Sequence, residues 1–183
     1  MPANSYQHDA AQALNNAQAL IEAGADMVKI EGGGNIIACA KNLVAHGIAV
    51  CGHLGFTPQS VHQLGGYKIQ GKTDLQAQQI LHDALALQEA GVSLLVLEMI
   101  PAQLASQITE ALRIPSIGIG AGAGCDGQVL VLHDLLGIYT GPATGKEFKS
   151  PRFVKNFLAP HGSVQAAICA YVQAVKNQTF PAD

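Results

Sequence analysis

An internal repeat constrains the fold of this chain more than any other feature. Residues 23–31 align without a gap against residues 90–98, and each segment follows a helix-like run that ends in Glu-Ala-Gly. Each repeat contains a glycine that ends a helix, an apolar strand and a terminal carboxylate, Glu31 or Glu98. This pattern is typical of repeated βα units, whose functional side chains gather at the carboxyl ends of parallel strands.

The rest of the chain continues the alternation of strands and helices. Hydrophobic periodicity predicts strands at residues 27–31, 48–53, 94–98, 115–120 and 128–133, with helices between them. Farther on, a helical piece containing Phe153, Val154 and Phe157, a second helix capped by Ser163, and a loose tail over residues 178–183 are expected. Strict alternation predicts an α/β fold with a parallel sheet and right-handed crossovers. Because a closed (β/α)8 barrel has eight strands, we expect about five βα units of an incomplete barrel, in a single domain over residues 1–183.

Two glycine-bearing segments interrupt this rhythm. Residues 54–72 form a predicted loop of a length that is usually functional, in which Tyr67 and Lys68 either cover a pocket or are plain surface. Residues 118–123 match a dinucleotide-binding fingerprint in form, but the strand predicted from Gln128 leaves no room for the helix that would cradle a phosphate. We therefore expect close backbone packing there instead of dinucleotide binding.

Composition excludes several classes of protein. The net charge is −3 and only 13% of residues are charged, without a basic cluster, so nucleic-acid or anionic-membrane binding is not expected. Low surface charge is compatible with buried subunit contacts. No signal-peptide pattern or membrane-spanning apolar run is present, and the four cysteines form no C-x-x-C pair. These features predict a reduced, cytoplasmic protein.

The candidate site consists of polar side chains at predicted strand ends. Lys29 and Glu31 lie two residues apart and therefore point to the same face, while His53 and Glu98 end the next two strands. His133-Asp134 is predicted to end the fifth strand, more plausibly in packing or hydrogen bonding than in chemistry. The alternative is a structural Lys29–Glu31 ion pair and a helix-capping Glu98, but charged residues directly after apolar strands are costly to bury without a function.

These residue types fit the enolisation of a small oxo acid. A carboxylate above an apolar barrel floor tends to have a raised pKa, which suits a base that removes a proton from carbon. A second carboxylate can hold Mg²⁺ to stabilise an enolate, and a neighbouring lysine can pair with a substrate carboxylate.

Six motifs, in order along the chain, identify a family. They are VKIEGG at residues 28–33, VCGHLG at 50–55, TPQS at 57–60, GGYKIQG at 65–71, LVLE at 95–98 and IGIGAG at 117–122. Together they closely resemble the 3-methyl-2-oxobutanoate hydroxymethyltransferase (ketopantoate hydroxymethyltransferase) family, and the resemblance extends from about residue 4 to residue 175.

The resemblance implies a (β/α)8 barrel of the phosphoenolpyruvate/pyruvate superfamily, usually a cytoplasmic decamer. The family transfers a one-carbon unit from 5,10-methylenetetrahydrofolate to 3-methyl-2-oxobutanoate, giving 2-dehydropantoate for pantothenate biosynthesis, with Mg²⁺ at the oxo acid. Carried over by motif, Glu98 matches the proposed base, Lys29 a lysine that contacts the oxo acid, His53 a histidine near the substrate, and Glu31 a metal-site carboxylate.

The chain also departs from the family pattern. The resemblance implies three further βα units before a segment like residues 1–6, with two aspartates that complete the metal site. Neither aspartate is present, so we expect little or no transferase activity from this chain alone, and exposed sheet edges. The alternatives are another enolate-forming barrel enzyme, of the phosphoenolpyruvate mutase or isocitrate lyase type, and a non-catalytic remnant that assembles with intact subunits.

Overall fold

Strands and helices alternate through most of the chain, as predicted. The computed structural model describes residues 1–139, 141 and 150–182; part of the glycine- and proline-bearing segment before Pro151, and the final residue of the predicted tail, lie outside this description. The strands are β1 (Val28–Glu31), β2 (Val50–Gly55), β3 (Leu94–Glu98), β4 (Ser116–Ile119) and β5 (Gly127–Gln128). The helices are α1 (Ala10–Glu22), α2 (Asn35–Ala45), α3 (Asp74–Glu89), α4 (Ala102–Ala111), α5 (Leu132–Leu135), α6 (Leu158–His161) and α7 (Val164–Lys176).

The five strands form one parallel sheet in the order β1-β2-β3-β4-β5. Each strand pairs with the next strand in the chain, which is the order of a barrel wall; a doubly wound sheet reverses direction at a switch point. Glu31 lies opposite His53 in the register, and Gly55 lies opposite Glu98. The sheet is therefore a part of a (β/α) barrel, as the strand count predicts.

The two faces of the sheet differ in polarity. Ile30, Leu95 and Leu97 are fully buried and pack in the main core with residues of the helices. Side chains at alternate positions, including Lys29 and Glu31, point to the opposite face. The alternation expected for the first strand is confirmed, and this second face carries the candidate site.

Side-chain caps fix where three helices begin. Asp9, Thr73 and Ser163 each accept a hydrogen bond from the backbone N–H three residues later, at the start of α1, α3 and α7 respectively. The caps predicted at Thr73 and Ser163 are confirmed. The Thr73 cap also ends the long loop. Its first two residues, 54 and 55, belong to β2, which runs two residues beyond its predicted end, and its other regular structure among the described residues is one 3-10 turn, Pro58–Ser60.

The fifth strand is shorter than predicted. β5 contains only Gly127 and Gln128, and the run expected to continue it instead turns away and forms α5. Leu130, Leu135 and Leu136 are buried in a second apolar core, apart from the sheet. A short apolar run is compatible with either a strand or a buried turn. Here it forms a turn and a short helix, because its leucines pack against the C-terminal segment.

Two predictions for the C-terminal part are also wrong. Residues 151–157 are irregular, and the short helix α6 begins after them and contains Pro160, which is tolerated in a first helical turn because the N–H groups there have no intrahelical acceptor. The predicted tail is not loose, because Phe180 is buried and contacts the rings of Phe157 and Tyr171 edge-on, with centroids 5.5 Å apart. Within the described residues, no helix is both long and apolar enough to cross a membrane.

Candidate active site at the strand ends

Four predicted side chains meet at the carboxyl ends of β1, β2 and β3. The His53 Nδ1 atom lies 3.4 Å from the Lys29 Nζ atom and 3.8 Å from Glu31 Oε1, and its Nε2 atom lies 3.1 Å from Glu98 Oε2. The Lys29 and Glu31 charges are 3.9 Å apart. The imidazole therefore lies between the two carboxylates, and all four groups can reach one small molecule.

Burial divides the cluster into a covered part and an open part. The side chains of His53 and Glu31 are 2% and 8% exposed, that of Glu98 is 15% exposed, and that of Lys29 is 46% exposed. Lys29 therefore presents its ammonium group to solvent, where an anionic ligand can pair with it. His53 is buried from solvent and contacts Glu31, Glu98 and the Lys29 ammonium group.

The two carboxylates determine the protonation of His53. Burial by itself lowers the pKa of His53, but the contacts with Glu31 and Glu98 outweigh burial and raise this pKa above its ordinary value. The Nε2 atom is buried and makes no directed hydrogen bond to a described atom, although Glu98 lies at ion-pair distance. The two carboxylates therefore favour the imidazolium form of His53 over that of a solvated histidine, and its Nε2 atom faces Glu98.

Glu31 is held in its ionised form. Burial works to raise the pKa of Glu31, but the hydrogen bond and charge of His53, the backbone N–H of Gln59 and the charge of Lys29 together lower it. The raised carboxylate pKa expected from the apolar barrel floor is thus not found at Glu31. A carboxylate with a lowered pKa suits a charge-pairing role better than proton transfer.

Sequence reasoning missed two residues that hold Glu31 in place. The Tyr6 hydroxyl accepts a hydrogen bond from the Glu31 N–H at 3.0 Å and donates to Gln59 Oε1 at 3.0 Å. The Gln59 N–H in turn donates to Glu31 Oε2 at 3.0 Å. Tyr6 lies before the first helix and Gln59 in the long loop, so no spacing rule connects them with β1. The TPQS motif at residues 57–60 contains Gln59 and is the one sequence signal for it; none of the six motifs contains Tyr6.

Gly55 allows β2 to pass close to the strand that carries Glu98. A Cβ atom at this position would lie 2.2 Å from the Glu98 carbonyl oxygen, and the backbone has φ of 89°. The next residue, Phe56, donates its N–H to the same oxygen at 2.8 Å. A glycine is therefore required where β2 and β3 end together.

His133 and Asp134 do not join the cluster. Both lie in α5, where His133 is exposed and Asp134 is half-buried. Burial raises the pKa of Asp134. The predicted position at a strand end is wrong because β5 stops at Gln128.

The cluster does not form a metal centre by itself. Among the described residues, no group of three or more histidine, cysteine, aspartate or glutamate side chains is arranged to hold a metal ion. Glu31 offers one carboxylate, and both of its oxygens already face cations or an N–H group. Mg²⁺ prefers octahedral oxygen coordination, so these residues do not fit the ion without other ligands.

The fold and the cluster define a class: enzymes of (β/α)-barrel type with acid, base and cationic groups at the carboxyl ends of parallel strands. The chain matches the family model described as "Ketopantoate hydroxymethyltransferase" over residues 1–183. It therefore belongs to the ketopantoate hydroxymethyltransferase family, as the six motifs predict.

Curated relatives agree with this assignment. A protein of Methylobacillus flagellatus named 3-methyl-2-oxobutanoate hydroxymethyltransferase is 56% identical over 181 residues, covering 99% of this chain and 66% of the relative. Relatives of the same name from Nitrosomonas eutropha and Azoarcus sp. are 55% and 53% identical, covering 100% of this chain and 65% of their own lengths. The chain thus spans about two thirds of the length of these relatives, and the match favours this family over the phosphoenolpyruvate mutase and isocitrate lyase alternative.

Proposed function

We propose that this site takes part in transferring a hydroxymethyl group from 5,10-methylenetetrahydrofolate to 3-methyl-2-oxobutanoate, giving 2-dehydropantoate in pantothenate biosynthesis. The observation that carries the proposal is the position of His53 between Glu31 and Glu98, beside the exposed ammonium group of Lys29. The names of the relatives indicate 3-methyl-2-oxobutanoate as the substrate, and the cluster contains groups suited to enolise an oxo acid.

Each group has a role that follows from its surroundings. Glu98 is the base that takes the proton from the carbon next to the carbonyl of the oxo acid, because it is the carboxylate farther from Lys29 and more exposed. Lys29 pairs with the substrate carboxylate. His53 lies between Glu31 and Glu98 and orients the Glu98 carboxylate through its Nε2 atom.

The complete transfer balances with one water molecule. The proton goes to Glu98, the enolate carbon forms a bond to the one-carbon unit, and the two bonds from that carbon to the folate nitrogens break. Water supplies the hydroxyl oxygen, and its two hydrogens together with the proton on Glu98 complete tetrahydrofolate and the new hydroxyl group. Mg²⁺ enters the proposal only through Glu31, the one carboxylate that the family motif assigns to it. Since the described residues do not fit the ion alone, the roles of Glu98, Lys29 and His53 are assigned without it.

Assembly and location complete the proposal. We propose that residues 1–183 act as one partial barrel domain in a cytoplasmic homo-oligomer, without nucleic-acid or membrane partners. Val164, Ile168 and Val172 support the oligomer, because they recur every fourth residue on α7 and are 40–49% exposed.

Hydrogen exchange at the substrate tests the proposed chemistry. With the chain in D₂O, the methine hydrogen of 3-methyl-2-oxobutanoate should be replaced by deuterium, as followed by NMR. Glu98→Gln should reduce the rate by about 10²-fold or more, the usual contribution of a positioned base. Glu110→Gln, on the exposed surface of α4, is the matched control and should leave the rate unchanged. Equal exchange rates in both variants would contradict the role of Glu98.

A second candidate function is a non-catalytic subunit that assembles with intact subunits of the same family. The exposed apolar stripe of α7 favours it. Co-purification with a full-length relative, together with undetectable deuterium exchange, would support this candidate over the first.

A further inference from the structure

A cavity of about 600 Å³ lies beside the candidate active site and has no role in the proposed enolisation. Its lining comes from the long loop, the start of α3 and the residue after β3: Leu64, Tyr67, Lys68, Ile69, Gln70, Lys72, Thr73, Gln76 and Met99. This volume is in the range of sites that hold drug-sized ligands, and is far larger than a small oxo acid needs.

The cavity is attached to the strand that carries Glu98. Met99 directly follows Glu98, and its carbonyl oxygen accepts a hydrogen bond from the Gln70 N–H at 2.9 Å. Met99 also has φ of 47°, a left-handed conformation that is uncommon for a residue other than glycine. The chain thus bends sharply from the base into the cavity wall, which places the cavity at the same end of the sheet as the cluster.

Two cations of the cavity are not neutralised. Lys68 and Lys72 form no ion pair with any described residue, whereas Lys29 and Arg113 each have a carboxylate partner. Among the lining residues that the structure describes, none carries a carboxylate. Like charges in a concave site create a positive potential that attracts an anion.

The remaining wall is apolar and aromatic. Tyr67 is 78% exposed, and its ring packs on the fully buried Phe56 with centroids 5.0 Å apart. Ile69 is 43% exposed. Phe56 therefore supports the Tyr67 ring from one side, while the rest of the ring is free to contact a flat ligand.

We propose that this cavity binds the second substrate of the transfer, as a flat anionic molecule whose rings pack against Tyr67 and Ile69 and whose carboxylates pair with Lys68 and Lys72. The class of ligand follows from the cavity; its identity as the folate donor rests on the proposed function. Enolisation at Lys29, His53 and Glu98 does not depend on this cavity, so the two proposals can fail separately.

Binding of pteroylglutamate (folic acid) to the full chain, measured by isothermal titration calorimetry, tests the proposal. The double variant Lys68→Gln/Lys72→Gln should raise the Kd about tenfold, the sum expected for two solvent-accessible ion pairs. Lys41→Gln/Lys176→Gln removes the same charge from exposed positions elsewhere and should change the Kd by less than about twofold, in line with long-range screening. Pteroic acid, which lacks the glutamate carboxylates, should bind more weakly and lose little further affinity in the Lys68→Gln/Lys72→Gln variant.

The aromatic wall has its own test. Tyr67→Ala should weaken pteroylglutamate binding, and Tyr67→Phe should retain it because the ring remains. Equal losses in the two lysine double variants, or a Kd unaffected by Lys68→Gln/Lys72→Gln, would overturn the cavity assignment. So would absent pteroylglutamate binding by a chain that still exchanges the substrate hydrogen, a result that leaves the proposed function standing. Intact pteroylglutamate binding without exchange would support the cavity and count against the enolisation.

Discussion

At the scale of single residues, the site depends on how Glu31 and His53 are held. The Glu31 N–H donates a hydrogen bond to the Tyr6 hydroxyl, the Glu31 carboxylate accepts one from the Gln59 N–H, and this carboxylate contributes to the raised pKa of His53. His53 in turn contacts Glu98. A series of contacts therefore connects the buried Tyr6 side chain, through Glu31 and His53, to the candidate base Glu98.

The Tyr6 hydroxyl should matter for both stability and binding. Tyr6→Phe removes the acceptor of the Glu31 N–H and the donor to Gln59, and leaving buried polar groups unpaired should lower the free energy of unfolding by about 1–3 kcal/mol. Binding of 3-methyl-2-oxobutanoate should weaken as Glu31 and His53 lose their positions. Urea denaturation and NMR titration measure the two effects. Tyr67→Phe, at an exposed hydroxyl, is the control; equal effects of the two substitutions would argue against a positioning role for Tyr6.

The charge of His53 should make stability depend on pH. The pKa of His53 is raised above 6.5 in the folded chain, so its stabilising contribution is complete below about pH 6.5 and is lost as pH rises through the folded value. The pKa of Glu31 is lowered, so its contribution to stability is complete above about pH 4.5 and is lost as pH falls through the lower, folded-state pKa. Urea unfolding of metal-free protein should show a decline above pH 6.5 that is smaller in His53→Gln. His62→Gln, at an exposed histidine, should retain the decline.

At the scale of elements, the ends of the parallel strands bring the site together. Glu31 and His53 are level in the register, whereas Glu98 lies opposite Gly55, two residues beyond His53. This stagger lets the imidazole contact one carboxylate through each ring nitrogen. The close pairing of β2 and β3 therefore sets the separation of His53 and Glu98.

A methyl group at Gly55 should disturb this pairing. Gly55→Ala adds a Cβ that would lie 2.2 Å from the Glu98 carbonyl oxygen, in addition to the cost of a positive φ. Gly24→Ala is the matched control, because Gly24 has φ of 102° and no atom within 4 Å of the added Cβ. We expect about 1–2 kcal/mol of destabilisation at Gly24 from conformation alone, and a larger loss at Gly55. Thermal unfolding measures both, and similar losses would contradict the close approach.

At the scale of the whole molecule, the sheet has two free edges. Among the described residues, β1 pairs only with β2 and β5 only with β4, although the Met1 amino group donates a hydrogen bond to the Lys29 carbonyl oxygen on the open edge of β1. Unpaired strand edges are templates for association.

These features predict weak turnover and self-association of the isolated chain. Glu31 is the sole metal-site carboxylate that the family motif assigns to the chain, so complete transfer should be slow or undetectable even with Mg²⁺ and 5,10-methylenetetrahydrofolate. Size-exclusion chromatography should show species larger than one chain. Normal Mg²⁺-dependent turnover by the 183-residue chain would contradict the prediction.

The sequence by itself determined the parallel α/β architecture, the carboxyl ends of β1 and β3 and the residues of the cluster. Glycine stops, apolar strands and terminal charges are local signals, and period-two alternation places Lys29 and Glu31 on one face without knowledge of the neighbours. The tertiary structure decided the end of β5, the packing of Phe180, the lowered pKa of Glu31 and the roles of Tyr6 and Gln59. Each of these depends on contacts between residues far apart in the chain. Sequence periodicity describes only residues that are close in the chain, so it does not predict which distant groups bury or charge one another.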